Sequence, residues 1–292
     1  MPLKRLAALL VALGLAACSS DSQSANSAGG KIAVVTSFST LNSFVEAVGG
    51  DRVSVQNLVP VGASPEDYEP TPQDVAMASK AQLFVENGAG IETWLHRVVD
   101  NVHNPRMRTL TLTAGLPVVG NNPHLWMDPV LAKRYTDKVR DELIAIDPSH
   151  ASEYRANALA YDKKLDELQS SIAKRIQTIP PAQRNMIIFH NAFAYYNRRF
   201  GIRTVGVVEL SPGQDPNPAY IAHLVELAKA NNVRAVFAEP EYSPKLAESL
   251  AKSAGIRTVT DLYDDSIGTD PRVKDYTSML RYDTNVIAEA LK

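Results

Sequence analysis

Cysteine is almost missing from this 292-residue chain; the only one is Cys18. A single thiol cannot build an internal disulfide framework. It also leaves no thiolate for a metal site in the body of the protein. Long apolar runs are lacking too: residues 6–17 are apolar or small, but too few to span a bilayer. Nor is there an excess of one charge. Lys and Arg number 30 against 32 Asp and Glu, a net charge of −2 with both signs interspersed. That balance excludes the broad basic surface a nucleic acid needs, and no nucleic-acid partner is expected. No short internal repeat is found. What remains is 45% hydrophobic and 21% charged residues, ordinary globular composition with ample material for a core. The length exceeds a typical single domain and predicts two lobes.

The first 17 residues read as a secretory signal peptide, with a basic start at Lys4-Arg5 and then a short apolar stretch. It closes on Leu15-Ala16-Ala17-Cys18, which resembles the bacterial lipobox, whose cysteine is lipidated. Residues 18–30 contain no large apolar side chain and form a flexible tether. Acyl chains on Cys18 hold the protein at a membrane without a transmembrane helix. The expected location is the periplasm or the cell surface.

From Lys31 onward, short β-rich runs alternate with amphipathic stretches. Strands are predicted over 32–36, 53–58, 82–85 and 108–112, and helices over 40–48, 72–79, 91–102 and 129–146. The alternation resumes with strands over 186–189, 204–208, 233–238 and 258–261. Helices are expected over 192–200, 218–230, 244–254 and 273–291. Such alternation predicts α/β lobes, each a mainly parallel sheet covered by helices. Between the halves, Tyr154, Ala158, Tyr161, Leu165, Leu168, Ile172 and Ile176 recur at helical period, from a start near Asp147-Pro148 to a stop at Pro180-Pro181. This is one long rigid helix joining the lobes. The expected division is an N-terminal lobe over 31–146, the linking helix over 147–180 and a C-terminal lobe over 181–292.

Two histidines stand out by context. His124 follows a predicted strand and loop in Asn122-Pro123-His124-Leu125-Trp126, and His190 ends the strand 186–189. Carboxyl ends of parallel strands are where α/β folds bind ligands. His96, His103, His150 and His223 lie on helices or near loops and read as surface residues. Acidic groups cluster at Glu66-Asp67-Tyr68-Glu69 and at Asp264-Asp265. Glu239-Pro240-Glu241 reads as structural, ending a strand.

Pieces spread along the whole body carry a family resemblance. They are Val35-Thr36-Ser37-Phe38, Val48-Gly49-Gly50-Asp51, Val59-Pro60-Val61-Gly62 and Tyr68-Glu69-Pro70-Thr71-Pro72. Further along come Asn87-Gly88, Pro123-His124-Leu125-Trp126, His190-Asn191-Ala192-Phe193 and Asp265-Ser266-Ile267. In that order and spacing, the chain from about Lys31 to Lys292 resembles the zinc- and manganese-binding solute-binding proteins of bacterial ABC importers. The resemblance implies two α/β lobes on a rigid helix and one metal ion held between them. It also implies an ABC permease as partner, and the protein itself is expected to be monomeric. Carried over position by position, the implied ligands are Glu66, His124, His190 and Asp265. The family usually has His where this chain has Glu66, and Asp67 or Glu69 are alternatives at that place.

Two imidazoles and two carboxylates form an oxygen-rich donor set that leans to Mn2+ over Zn2+. The absence of a histidine-rich loop before the second ligand points the same way. Four protein ligands leave no open position for an activated water, so no enzyme is expected. The alternatives are a surface adhesin of the same fold and a zinc hydrolase using His124 and His190 with Glu66 as base. A stiff linker predicts small rocking of the lobes on metal release.

Overall fold

The computed structural model describes residues 30–292 apart from 212, 215 and 269. Cys18, the signal peptide over 1–17 and the tether up to residue 29 lie outside the described residues. All strand pairings are parallel, so each strand-to-strand connection must cross back along a sheet. The first sheet holds β1 (Ile32–Thr36), β2 (Val53–Asn57), β3 (Leu83–Glu86) and β4 (Arg108–Thr111), in the order β2-β1-β3-β4. Its crossovers carry α1 (Ser39–Gly49), α2 (Pro72–Ala78) and α3 (His96–Val99). After α4 (Pro129–Ile146) and α5 (Ala151–Gln177) the second sheet repeats the plan. It comprises β5 (Asn185–Ile188), β6 (Arg203–Val207), β7 (Ala235–Phe237) and β8 (Arg257–Val259), ordered β6-β5-β7-β8. Its helices are α6 (Ala194–Phe200), α7 (Pro218–Ala230) and α8 (Lys245–Ala254), and the chain closes with α9 (Tyr276–Leu291). The fold is two α/β lobes joined by a long helix.

In each sheet the winding reverses beside its first strand. The crevices at β1/β3 and β5/β7 are therefore switch points, where an open α/β sheet leaves room for a ligand. The residues just past β5 and β7 are His190 and Glu239.

The helix α5 is about 40 Å long at 1.5 Å per residue. All seven side chains of its predicted stripe, Tyr154 to Ile176, are buried. They pack against α1 and α4 on one side and α6 and α9 on the other. One hydrophobic cluster consequently runs from β1 through α5 to α9 and includes residues of both sheets, while a smaller one lies beneath α7 and α8. Each large apolar side chain so buried stabilises the fold by roughly 1.5–3 kcal/mol. The core does not stop at the lobe boundary, and the lobes are braced against each other.

Two local expectations were too generous. The α-helix of the linker begins only at Ala151, because Pro148–His150 forms a 3-10 turn whose corner is Asp147. The Asp147 carboxylate accepts from Ser149, and its other oxygen from Tyr154 and from the ring of His150. The helix expected over 91–102 shrinks to the four residues of α3. Its first turn is lost because Glu92 points inward and serves the loop before it. Glu92 accepts from Ser37 Oγ (2.7 Å), Asn87 N (2.7 Å) and Gly88 N (2.9 Å). Gly88 has φ +81°, and a Cβ there would lie 2.4 Å from Thr111 Cγ2, so only glycine fits the turn.

Glu92 is nearly fully buried, and burial pushes its carboxyl up to about 7 despite the three donors. The clamp matters beyond its own loop. Asn87 receives a hydrogen bond from Tyr135 and donates to the carbonyl of Pro123, the residue before His124. Glu92→Gln would set an amide NH2 against backbone N–H groups. The expected cost is about 1–3 kcal/mol, the penalty for an unsatisfied buried donor. Urea unfolding measures it; an unchanged midpoint would mean that the clamp adds nothing to stability.

Candidate metal site

Loops from both lobes converge on His124 and His190, whose ring centroids are 5.3 Å apart. His124 ends the loop after β4, and its ring is oriented by Asn122. The Asn122 Oδ1 accepts from the His124 backbone N–H (3.0 Å) and lies 3.1 Å from ring Nδ1. The Nδ2 of the same Asn122 donates to the carbonyl of Asn191, beside His190. With an acceptor facing Nδ1, that nitrogen carries the proton and Nε2 keeps a free lone pair. Burial first, and then the positive charge of His190, pushes His124 down to about 3. It is a neutral imidazole at any physiological pH. Its Nε2 has no hydrogen-bond partner and lies 3.7 Å from Glu66 Oε1 and 3.8 Å from Asp265 Oδ1.

His190 sits between carboxylates. Its Nδ1 is 3.2 Å from Glu239 Oε2 and its Nε2 is 3.1 Å from Asp264 Oδ2. These atoms are close but off the line a hydrogen bond requires, so both nitrogens are buried without a partner. Burial opposes a charged ring, yet the charges of Glu239 and Asp264 raise His190 well above the ordinary histidine range. Tyr242 packs on its face at 5.1 Å.

The acidic residues are placed by backbone fastenings. Trp94 Nε1 donates to the Pro65 carbonyl at 2.7 Å, and Ser64 Oγ receives the Glu66 backbone N–H. This turns Glu66 towards His124, whereas Asp67 and Glu69 are exposed. Burial raises the Glu66 carboxyl above its ordinary value. The loop bearing Asp264 and Asp265 leaves β8 in the second lobe but is tied to the first. The Asp264 carbonyl accepts from Thr40 Oγ1 and Trp126 Nε1. Ser266 Oγ receives the Gly62 N–H at 2.6 Å, and the Ile267 N–H reaches Ser39 Oγ. Burial, and then the negative charge of Asp264, raises Asp265 well above the carboxylate range. Burial would raise Asp264 as well, but the adjacent His190 charge holds it below its ordinary value.

The structure thus brings His124, His190 and Asp265 together and sets Glu66 beside His124. His96, His103 and His223 are exposed and His150 is occupied by Asp147. Two residues have a place at the site that the sequence reading does not give them. Among the described residues, His124, His190, Asp264 and Asp265 form a group that could hold a metal ion, each offering one donor atom, all within 4.8 Å of one another. Glu239, read as a strand terminator, instead directs a fully buried carboxylate at His190. The only available signal was its position two residues beyond β7, at the switch point.

Imidazole nitrogens and carboxylate oxygens buried without hydrogen-bond partners suit a divalent cation, which one nitrogen of each ring and the nearby carboxylates could share. Two α/β lobes with such a cluster drawn from both are the arrangement expected of a solute-binding protein. Comparison with known proteins makes this specific. Residues 34–290 match the family described as the periplasmic component A of the zinc-uptake complex. The chain belongs to this family, which consists of metal-uptake components and not enzymes, and the hydrolase alternative falls with it. The manganese-binding lipoprotein MntA of Halalkalibacterium halodurans is 32% identical over 288 residues, covering 97% of this chain and 96% of that protein. The iron-binding protein YfeA of Yersinia pestis is 30% identical, over 89% of this chain and 86% of its own length. Among solved structures, the Mn-bound periplasmic metal-binding protein of Candidatus Liberibacter asiaticus superposes with a TM-score of 0.80 at 26% identity. That match covers 90% of this chain and all of the other.

The charge of Glu239 is the leading upward influence on His190. Glu239→Gln should therefore move the His190 imidazole titration down towards the ordinary histidine range. NMR titration of the ring protons reads this directly, and an unmoved midpoint would show that the 3.2 Å approach has no electrostatic effect.

Proposed function

We propose that this chain is the extracytoplasmic, lipid-anchored binding component of an ABC importer. It captures one divalent transition-metal ion, Mn2+ in preference to Zn2+, and delivers it to a permease. The ion is held by Glu66, His124, His190 and Asp265, with acyl chains on Cys18 as the anchor and the protein acting as a monomer. The observation that carries this reading is the cluster of buried His124, His190, Asp264 and Asp265 drawn from both lobes, with donor atoms within 4.8 Å of one another and Glu66 beside His124. The family match and the metal-binding relatives support it. The lipobox-like Leu15-Ala16-Ala17-Cys18 supports the anchor. Among the described residues, no helix is long and apolar enough to cross a membrane.

The residues perform binding and release by simple means. His124 offers Nε2 because Asn122 occupies Nδ1. His190 offers Nε2 because Glu239 faces Nδ1, the arrangement of a ligand imidazole backed by a carboxylate. Carboxylates supply charge compensation and oxygen donors, which suits manganese more than a sulfur-bearing or all-nitrogen set would.

Elemental analysis of protein refolded in mixed metals at buffered free concentrations should find one ion per chain. His124→Ala or His190→Ala should weaken binding by more than the roughly 10–100-fold typical of losing an outer partner. Glu66→His should shift selectivity towards zinc, and a variant with unchanged selectivity would remove Glu66 from the ligand set.

Proton competition follows from the same site. His190 and Asp265 both hold their protons to higher pH than usual, and a metal ion must displace them. Affinity should fall as pH drops below neutrality, and loading at pH 7 should release protons. Titration calorimetry in buffers of different ionisation enthalpy tests this; a heat independent of buffer would contradict it.

A further inference from the structure

Within that reading of the site, we infer that Asp264 supplies a further oxygen donor to the metal, beside Asp265, and that this donor tilts the site from zinc towards manganese. Asp264 is 1% exposed, and its two carboxylate oxygens are divided between two tasks. The Oδ1 accepts the backbone N–H of Asp265 at 2.6 Å, which closes the turn and fixes the carboxylate plane. The Oδ2 is then left buried without a hydrogen-bond partner, 3.1 Å from His190 Nε2, the nitrogen that faces the ion. A carboxylate oxygen of Asp264 also lies within 4.8 Å of donor atoms of His124, His190 and Asp265. Thr40 Oγ1 (2.9 Å) and Trp126 Nε1 (3.2 Å) hold the Asp264 carbonyl, so the residue cannot turn away without breaking bonds to the other lobe. An acidic side chain serving only the turn would need one oxygen; the second is aimed at the ion's place.

The consequence is a change of coordination class. Glu66, His124, His190 and Asp265 alone are two nitrogens and two carboxylates, which a tetrahedral zinc ion accepts. Adding Asp264 makes three carboxylates and at least five donors, the oxygen-rich and higher-coordinate surroundings that manganese favours. This third carboxylate would also leave the loaded site with one negative charge in excess when both imidazoles are neutral.

Asp264→Asn tests this, because the amide oxygen can still receive the Asp265 N–H while NH2 replaces the aimed oxygen; Asp264→Ser is the second variant. The probes are Mn2+, Zn2+ and Co2+ added to the full chain, with Asp265→Asn alongside. The expected result is Mn2+ affinity down at least about tenfold and Zn2+ affinity changed by less than about threefold. The visible bands of bound Co2+ should intensify towards those of a four-coordinate site. Unchanged metal affinities and an unchanged Co2+ spectrum, with binding lost in Asp265→Asn, would overturn the inference and leave Asp264 a loop anchor. Equal weakening of both metals without a change in the Co2+ bands would overturn it as well. Retention of all metal binding in Asp265→Asn, His124→Ala and Asp264→Asn together would instead remove the whole site.

Discussion

The rest of the molecule is organised around a concentration of buried charge. Glu66, Glu239, Asp264 and Asp265 crowd around two imidazoles where little water reaches. Isolated, such carboxylates would protonate or drive the lobes apart, since desolvation of an unpaired charge is among the largest penalties in folding. The shifts at the site record that tension: His190 and Asp265 cling to protons while His124 sheds its own. A divalent cation resolves it in a single step, which is why a binding site of this kind is also a strained one before loading.

Holding that strain requires a stiff frame. The apolar stripe of α5 joins both lobes to one continuous core, and α9 returns from the second lobe to pack on α1 and α5. The loop of Asp264 and Asp265 belongs by chain order to the second lobe, yet its hydrogen bonds go to Ser39, Thr40, Gly62 and Trp126 of the first. Arg199 of α6 grips the Asp128 carboxylate at the start of α4 through three bonds of 2.7–3.0 Å. Such cross-ties favour small adjustments at the site over a wide hinge opening.

Much of this was legible from residue order. The central strands β1, β3, β5 and β7 read as nearly continuous apolar runs because both their faces are covered, and the α5 stripe is visible because one helix face meets the core for its whole length. His124 and His190 were recognisable from their places after strands and from the family pattern around them. The misreadings share a cause. A helical pattern over 91–102 lost to the three hydrogen-bond donors that capture Glu92. Glu239 and Asp264 resemble ordinary strand-end and turn acids, and only the approach of His190 distinguishes them.

The sequence by itself determined the α/β alternation, the long linking helix and the identity of the histidines, since periodicity and motif are local properties of the chain. Only the tertiary structure decided which acids face them. That choice depends on where β5, β7 and β8 end in space and on bonds spanning more than 200 residues, such as Thr40 to Asp264. Side-chain direction at the end of a strand is set by the neighbours it meets; these lie far along the chain and, for Asp265 beside His124, in the other lobe.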